Sequence, residues 1–297
     1  MNLDDFIIAC YCLIDDLLPM MTEGKRLRER GPATKLSDSE ILTIEVVGNY
    51  LEISKETQIF EYFRRHYTHF FPRLKEIHRT TFTRQAANLW VLKERLWQYL
   101  CHELIIHDEQ TSIVDSCSLP VCRFARATRC KVFRGQARYG YDPVQKQTFY
   151  GFRVHARISY QGVITRFDVA PANEHDGAVV EELLEGTSGL VLGDRNYWIP
   201  DVQQRLREQG IRLQAPYKKP KSPKAKPYES RIHSRVRYRI ETVFGQLTEH
   251  GAFKRLRARD QWHLFSRLLR LVLMHTICIF FNQQLELPPL QLAGLVA

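Results

Sequence analysis

Three acidic residues, far apart in the chain, could together perform metal-dependent chemistry: Asp115, Asp194 and Glu241. Asp115 and Asp194 each close a short apolar run that is predicted to be a strand, whereas Glu241 lies in the basic segment 235–241, which is predicted to be helical. A carboxylate on a buried strand would lose its hydration, so its charge must be compensated. Three carboxylates that converge from two strands and a helix would form a hard oxygen site for Mg²⁺.

Carboxylates arranged in this way can hold two Mg²⁺ ions about 3.5–4 Å apart. Such a pair activates a nucleophilic oxygen, stabilises the leaving oxygen and holds a pentacoordinate phosphate between them, as phosphodiester hydrolysis and transesterification require. We predict that Asp115 bridges the two ions, that Asp194 and Glu241 are outer ligands, and that Mn²⁺ can substitute for Mg²⁺. Arg237, one helical turn before Glu241, would face phosphate.

Each acid also has a simpler structural explanation. Asp194 could merely end a strand and cap the next turn, and Glu241 with Arg237 has the spacing of an exposed i, i+4 ion pair, worth roughly 0.2–0.5 kcal/mol. Asp115 is the hardest to explain in this way. The order strand acid, strand acid, helix glutamate, in basic surroundings, is more specific than any one of the three.

The charge of the chain favours a polyanionic partner. The net charge is +10 and the pI is near 9.3, and the positive charge is clustered. Residues 117–141 contain no acid, and residues 217–239 contain only Glu229. We therefore predict that the partner is double-stranded DNA, bound largely through its phosphates. The residues predicted to bind DNA are Arg123, Arg126, Arg129, Lys131, Arg134, Lys218, Lys219, Lys221, Arg231, Arg235, Arg237 and Arg239.

Three prolines divide the second basic tract. Pro220, Pro223 and Pro227 prevent its first half from being helical. We predict a loop that clamps phosphate, followed by a helix that runs through Leu247. The alternative for the loop is an unstructured linker that keeps the chain soluble.

Residues 1–104 are predicted to be helical. Short helices with exposed basic residues suit a helix-turn-helix-like module, in which residues 79–85 would begin the recognition helix. The alternative is a helical bundle that only packs or dimerises. Ser37 and Glu40 form a predicted capping box, and Pro19 is predicted to end the first helix. The further predicted helices span residues 41–51, 56–71 and 80–104.

From residue 111 the hydrophobic pattern changes to alternation. A first strand is predicted to end at Asp115, a hairpin follows over 149–170, and helix, strand, helix and strand come next. This order is typical of a mixed α/β layer fold. Asp176 is expected to cap the helix that follows the hairpin, and His155 is expected to be a structural histidine.

A last helix is predicted over residues 261–284 and is expected to pack across the catalytic layer. Its apolar part is broken by Arg267, Arg270 and His275, so we predict a buried helix rather than a membrane span. Seven irregularly spaced cysteines and an acidic N-terminus, where a signal peptide would be basic, predict reduced thiols and a cytoplasmic, nucleoid-associated protein.

Two weaker patterns remain open. Cys117, Cys122 and Cys130 could bind zinc together with His107, although they contain no close C-x-x-C pair. Tyr197 and Trp198 follow Asp194 closely and are candidates to stack on a flipped or splayed base. Packing in the core is the alternative for both aromatic residues.

The sequence resembles the DDE transposases of prokaryotic insertion sequences, and within that class the insertion sequence 982 family. The resemblance covers roughly residues 105–285. It is carried by Ile113-Val114-Asp115-Ser116, by residues 165–176 (TRFDVAPANEHD), by Gly193-Asp194-Arg195-Asn196-Tyr197 and by residues 237–244 (RYRIETVF).

This resemblance implies an RNase H-like catalytic domain over 105–285, preceded by the helical DNA-binding or dimerisation region 1–104 and followed by a tail, 286–297. It implies that Asp115, Asp194 and Glu241 are the catalytic triad. The implied activity is Mg²⁺-dependent cleavage at terminal inverted repeats and joining of 3′-OH ends to target DNA, by a homodimer on paired ends. Two alternatives are a catalytically inactive DNA-binding protein derived from a transposase, and an RNase H-like nuclease without strand transfer.

Overall fold

The computed structural model describes residues 1–24, 33–105, 110–219, 221–222 and 227–296, with only the backbone of residues 105 and 227–235. The chain divides into two compact units. One comprises Met1–Leu100 and Leu247–Ala297, and the other comprises Cys101–Gln246. A helical N-terminal region followed by a mixed α/β layer confirms the predicted fold class. The functions predicted for the domains stay predictions.

The first unit is built from helices. Ser37 caps the second helix with its side chain while Glu40 bonds back to the Ser37 amide, so the predicted capping box is confirmed. Pro19 does not end the first helix, because the helix continues for three further residues. The helix predicted over 80–104 is two helices that meet at Leu89. The helices are α1 (Leu3–Thr22), α2 (Asp38–Tyr50), α3 (Glu56–His66), α4 (Arg79–Asn88), α5 (Trp90–Ile105) and, from the C-terminal part of the chain, α9 (Gln261–Gln284).

The last helix, α9, has the limits that the sequence predicts. It is long and apolar enough to cross a membrane by composition, with a mean hydropathy of 1.7 in its most apolar part, but 83% of that part is buried inside the protein. It packs against α2 and α4 of the same unit. The predicted buried helix is thus confirmed, and its packing across the catalytic layer stays a prediction.

The second unit contains a sheet and the helices that flank it. The strands are β1 (Thr111–Pro120), β2 (Arg138–Asp142), β3 (Gln147–Ser159), β4 (Ile164–Pro171), β5 (Gly189–Leu192) and β6 (Ile211–Gln214). The helices are α6 (Asp176–Leu183), α7 (Pro200–Glu208) and α8 (Pro227–Gly251), which continues into the first unit. Pro227 occupies the first position of α8, where a helix does not need the missing N–H.

The sheet is mixed, with β1 at its centre. β1 pairs antiparallel with β3 and parallel with β5, β3 pairs antiparallel with β4, and β5 pairs parallel with β6. The order β4–β3–β1–β5–β6 is the RNase H-like arrangement. β2, which the sequence did not predict, pairs antiparallel with the first residues of β3 and extends the sheet.

Two details of the second unit correct the sequence analysis. β1 does not end at Asp115 but continues to Pro120, because residues 116–120 remain paired with β3 on one side. Asp176 is the first residue of α6 rather than its cap, and His175 precedes it. The apolar faces of β1, β5, α6 and α7 enclose the core, with Val114, Val180, Val191 and Leu206 fully or almost fully buried.

Candidate active site

The register of β1 and β5 brings the first two predicted acids to the same place. Ile113 of β1 pairs with Leu192 of β5, and the two strands run in the same direction. Asp115 lies two residues further along β1, and Asp194 lies two residues beyond Leu192, just after the end of β5. Asp115 itself pairs with Ala156 of β3. The pairing with β3 at Asp115, together with the pairing of residues 111–113 with β5, positions the backbone that carries Asp115.

The carboxylate of Asp115 is held by two donors. Its Oδ1 accepts from the backbone amide of Ser116 at 2.8 Å, and its Oδ2 accepts from Nη2 of Arg237 at 2.9 Å. The two side chains are 18% and 20% exposed. Burial raises the pKa of Asp115 to about 6, and the charge of Asp194 adds to this, although Arg237 opposes both. The ionised carboxylate is therefore short of positive charge even with Arg237 beside it.

Asp194 caps the short 3-10 helix Arg195–Tyr197 and also faces the other acids. Its carboxylate accepts from the amide of Asn196 at 2.8 Å. Burial raises the pKa of Asp194, and the charge of Asp176 adds to this, whereas the Asn196 amide and Arg237 lower it. Asp194 therefore caps a helix and also lies near other charged groups. The sequence presented these two possibilities as alternatives.

Arg237 is the common neighbour of the three predicted acids. Burial alone would lower its pKa, but the charges of Asp115, Asp194 and Glu241 raise it. Glu241 is exposed on α8, beside the fully buried Ile240 that anchors the helix. Nε of Arg237 is buried and has no hydrogen-bond partner among the described residues.

The described residues contain no group of three or more His, Cys, Asp or Glu side chains close enough to hold a metal ion. Asp115 and Asp194 come together, and Glu241 joins them only through its interaction with Arg237. The donor set still fits a divalent cation, because two half-buried carboxylates with raised pKa values lack positive charge. The ligand roles of the three acids stay predictions.

Three further polar residues lie near the two aspartates or beside one another: Asp176, His155 and Tyr197. Nδ1 of the fully buried His155 lies 3.4 Å from Oδ1 of Asp176. Burial lowers the pKa of His155 to about 4, so its imidazole is neutral at pH 7. The buried Tyr197 hydroxyl is near Asp176, Asp115 and Asp194, whose charges, after burial itself, raise its pKa. The sequence predicts Asp176 as a helix cap and His155 as a structural histidine, and the spacing of the two residues does not indicate that they are neighbours.

A known protein family matches the part of the chain that carries these acids. The model of the family "Transposase DDE domain" matches residues 107–261, just over half of the chain. The chain belongs to this family. Among solved structures, the transposase chain is similar to a piggyBac transposase synaptic complex with hairpin DNA, determined by cryo-EM. The identity is 13%, the match covers 98% of this chain and 85% of that one, and the TM-score is 0.41. No curated protein matches the sequence.

The transposase exposes most of the basic residues that were predicted to bind DNA. Arg123, Arg126, Arg129, Lys131 and Arg134 are exposed around the short 3-10 helix Phe124–Arg129. Lys218, Lys219 and Lys221 are also exposed, Arg237 is at the acids, and Arg239 lies over the ring of Tyr160 at 4.3 Å. The side chains of Arg231 and Arg235 lie outside the described part of the chain.

The two base-stacking candidates of the transposase differ in their environments. Tyr197 is fully buried in the core, so no face of its ring is open to a base. This corrects the stacking prediction for Tyr197. Trp198 is half-buried, with its ring 5.0 Å from that of Tyr217. A stacking role for Trp198 stays a prediction.

The cysteines of the transposase do not supply a metal site within the described residues. Cys122 and Cys130 are neighbours, and burial together with the Cys130 thiol raises the pKa of Cys122 to about 11. Cys117 is half-buried, and its thiol faces the carbonyl of Ser118. His107, the fourth member of the predicted zinc set, lies outside the described residues.

Proposed function

We propose that this protein is an active DNA transposase that cleaves DNA at the terminal inverted repeats of its element and joins the 3′-OH ends to target DNA. The single observation that supports this most strongly is the pair of half-buried carboxylates, Asp115 on the central strand and Asp194 just after β5, in a chain of the transposase DDE domain family. The exposed basic residues around the 3-10 helix 124–129 support DNA as the substrate.

Asp115, Asp194 and Glu241 would hold the divalent cations, Mg²⁺ or Mn²⁺. When bound, these ions supply activation of the attacking oxygen and stabilisation of the leaving oxygen. The chain itself positions the ligands: pairing with β3 and the Ser116 amide hold Asp115, and the Asn196 amide orients Asp194. Asp176 carries a further charge close to Asp194, and His155 lies beside Asp176.

Arg237 has two roles in this proposal. It neutralises Asp115 in the absence of cations, through the 2.9 Å hydrogen bond. Its guanidinium, which belongs to a side chain that is 20% exposed, can bind a DNA phosphate next to the acids. Since a guanidinium and a divalent cation compete for the same carboxylate, DNA that binds Arg237 would make Asp115 available.

The test of this proposal compares two acid variants with a matched acid elsewhere in the same unit. Asp115→Asn and Asp194→Ala should reduce Mg²⁺-dependent nicking of a labelled inverted-repeat duplex by more than the roughly 100-fold that changes behind a metal ligand cost. Both should still bind the duplex. Asp201→Asn, at an exposed position on α7, should cut normally. Wild-type cutting by Asp194→Ala would refute the site assignment.

Two other functions give different results in the same assay. A silent DNA-binding protein derived from a transposase would bind the duplex without nicking it in Mg²⁺ or Mn²⁺. A nuclease without strand transfer would nick, but would not join labelled 3′-OH ends to a second DNA. The transposase proposed here performs both steps.

We extend the proposal to the biological setting. The motifs around Asp115, Asp194 and Glu241 support a prokaryotic insertion sequence element similar to the insertion sequence 982 family, and a protein that acts in the cytoplasm on chromosomal DNA. Because two element ends must be processed together, we propose a homodimer on the paired ends. Sedimentation of the protein with an end duplex would measure that stoichiometry.

A further inference from the structure

The edge strand β2 and the loop before it expose three aromatic rings. Phe124 is 54% exposed, Tyr139 is 46% exposed and Tyr141 is 54% exposed. The rings of Phe124 and Tyr139 are 6.3 Å apart and nearly perpendicular. Tyr139 and Tyr141 are two residues apart on one strand, so they face the same side. Exposed aromatic rings grouped in this way are unusual for a surface that contacts only water.

The packing of β2 against its neighbours supports the three exposed rings. Tyr139 pairs across the sheet with Tyr150, which is almost fully buried, and their ring centroids are 5.2 Å apart. Between the two exposed tyrosines, Gly140 lies so close to the backbone of Ala172 that a Cβ atom would be only 2.5 Å from the Ala172 oxygen. β2 is therefore packed tightly against its neighbours, and the rings sit on a rigid support.

The surroundings of the rings are positively charged. Arg123, Arg126, Arg129 and Arg138 are exposed, and none forms an ion pair with an acid in the part of the chain that the structure describes. Residues 117–141 contain six basic residues and no acid. A ligand that suits this surface must carry negative charge and offer flat apolar faces.

The surface is connected to the candidate active site through one side chain. Arg153 of β3 donates from Nη2 to the carbonyl of Tyr141 at 3.1 Å and from Nη1 to Oγ of Ser116 at 3.3 Å. Ser116 is the residue next to Asp115, and its amide binds the Asp115 carboxylate. A strand of DNA on the tyrosines would thus lie near the acids.

We propose that Phe124, Tyr139 and Tyr141 form a stacking platform for unpaired nucleotides of DNA, whose phosphates are bound by the neighbouring arginines. This inference rests on the proposed function, since it names the form of DNA that the enzyme holds. Bases stack on aromatic rings in a sequence-tolerant way, and arginines track the backbone. In a duplex the base faces are covered by their neighbours, so only an unpaired strand can use the rings.

The test measures binding without divalent metal, so that cleavage plays no part. The probes are a single strand of about 12 nucleotides that contains 2-aminopurine, and the matching duplex. Tyr139→Ala should weaken single-strand binding about 5-fold or more, and should change duplex binding by less than about 2-fold. Tyr139→Phe, which keeps the ring, should behave like wild type. Phe265→Ala, at an exposed aromatic on α9, is the matched control and should have no effect.

The outcomes separate the platform from the proposed function. If Tyr139→Ala leaves single-strand affinity unchanged, or weakens both DNA forms equally, the platform is refuted while a DNA transposase remains. If the wild-type protein binds neither DNA form, both proposals are refuted. A double variant, Phe124→Ala with Tyr139→Ala, should weaken the single strand further than either change alone, and a thermal unfolding midpoint near the wild-type value shows that the variants are folded.

Discussion

Among single residues, the decisive feature is a cation in contact with a half-buried acid. The Arg237 guanidinium lies 2.9 Å from Asp115, near Asp194 and one turn from Glu241 on α8. Removal of one partner from such a pair leaves the other charge uncompensated in a half-buried place. The behaviour of Asp115 towards cations should therefore depend on Arg237.

Substitution of Arg237 should affect metal and DNA in opposite directions. Arg237→Gln removes the cation that competes for Asp115, so Mn²⁺ affinity in the absence of DNA should rise. It also removes a phosphate contact, so binding of the end duplex should weaken and its salt slope should fall by about 1. Calorimetric Mn²⁺ titration and DNA binding at several salt concentrations measure the two effects.

Arg239→Gln is the matched control for the metal effect, because the Arg239 guanidinium lies over the ring of Tyr160 rather than at an acid. It should leave Mn²⁺ affinity unchanged. An Arg237→Gln protein with unaltered or reduced Mn²⁺ affinity would show that the arginine does not compete with cations for Asp115.

The sequence allowed the prediction of the acids but not of everything around them. Asp115 and Asp194 could be predicted, because an acid at the end of an apolar run is costly and therefore informative. Asp176 and His155 approach one another because the start of α6 packs against β3. Their separation in the sequence does not predict this contact. Tyr197 was predicted as a candidate for base stacking because it follows Asp194 closely in the sequence. Its ring is enclosed by the core, which that closeness could not reveal.

Within the helical first unit, a buried polar network joins four helices, α2, α4, α5 and α9. Nζ of Lys93 on α5 binds Oε2 of Glu45 on α2 at 2.6 Å, the Ala86 carbonyl at 2.9 Å and Oγ of Ser266 on α9 at 3.0 Å. Arg270 on α9 also approaches Glu45, at 3.3 Å. Lys93, Glu45 and Arg270 are each 1% exposed, so the network is almost completely removed from water.

Breaking this network should cost more than breaking an exposed pair. Lys93→Met leaves Glu45 with one cation instead of two, and should lower the stability of the first unit by about 3 kcal/mol. Lys35→Met, in a pair with Glu76 that is 56% exposed on both sides, should cost less than about 1 kcal/mol.

Chemical denaturation can be followed by tryptophan fluorescence, because three of the four tryptophans, Trp90, Trp97 and Trp262, belong to this unit. Equal losses for Lys93→Met and Lys35→Met would mean that the buried network contributes no more than the surface pair.

Most elements could be predicted from hydrophobic spacing, and the exceptions have local causes. The capping box at Ser37 and the limits of α9 could be predicted because helix caps and the helical spacing of apolar residues depend on residues that are close together in the sequence. β2 was missed because its only fully buried residue is Asp142 at its end, so it lacks an alternating apolar pattern. Pro19 was expected to end α1, but a proline removes only one backbone hydrogen bond, from its own nitrogen to the carbonyl four residues earlier, and α1 continues for three more residues to Thr22.

At the scale of the whole molecule, charge is the property that directs the protein to its partner. The net charge is +10, and the exposed arginines near residues 123–138 belong to the unit that carries the acids. A surface that neutralises several phosphates releases the same number of condensed counterions. DNA affinity must then depend on salt.

DNA binding by the intact protein should weaken steeply as salt rises. About six phosphate contacts would give a slope of roughly −5 in a plot of log affinity against log salt. Arg126→Ala and Arg129→Ala should each make this slope shallower by about 1, whereas Lys35→Ala in the first unit should not change it. A flat salt response would show that the basic tracts do not bind the DNA backbone.

The most direct measurement of the central claim is a crystal structure of the protein with an end duplex and Mn²⁺, with the anomalous signal of the metal recorded. We expect a Mn²⁺ peak in contact with the carboxylates of Asp115 and Asp194, with Glu241 turned towards it and Arg237 moved from Asp115 to a DNA phosphate. Mn²⁺ bound elsewhere, with the Arg237–Asp115 contact intact beside the bound DNA end, would contradict the assignment of these acids as the catalytic site.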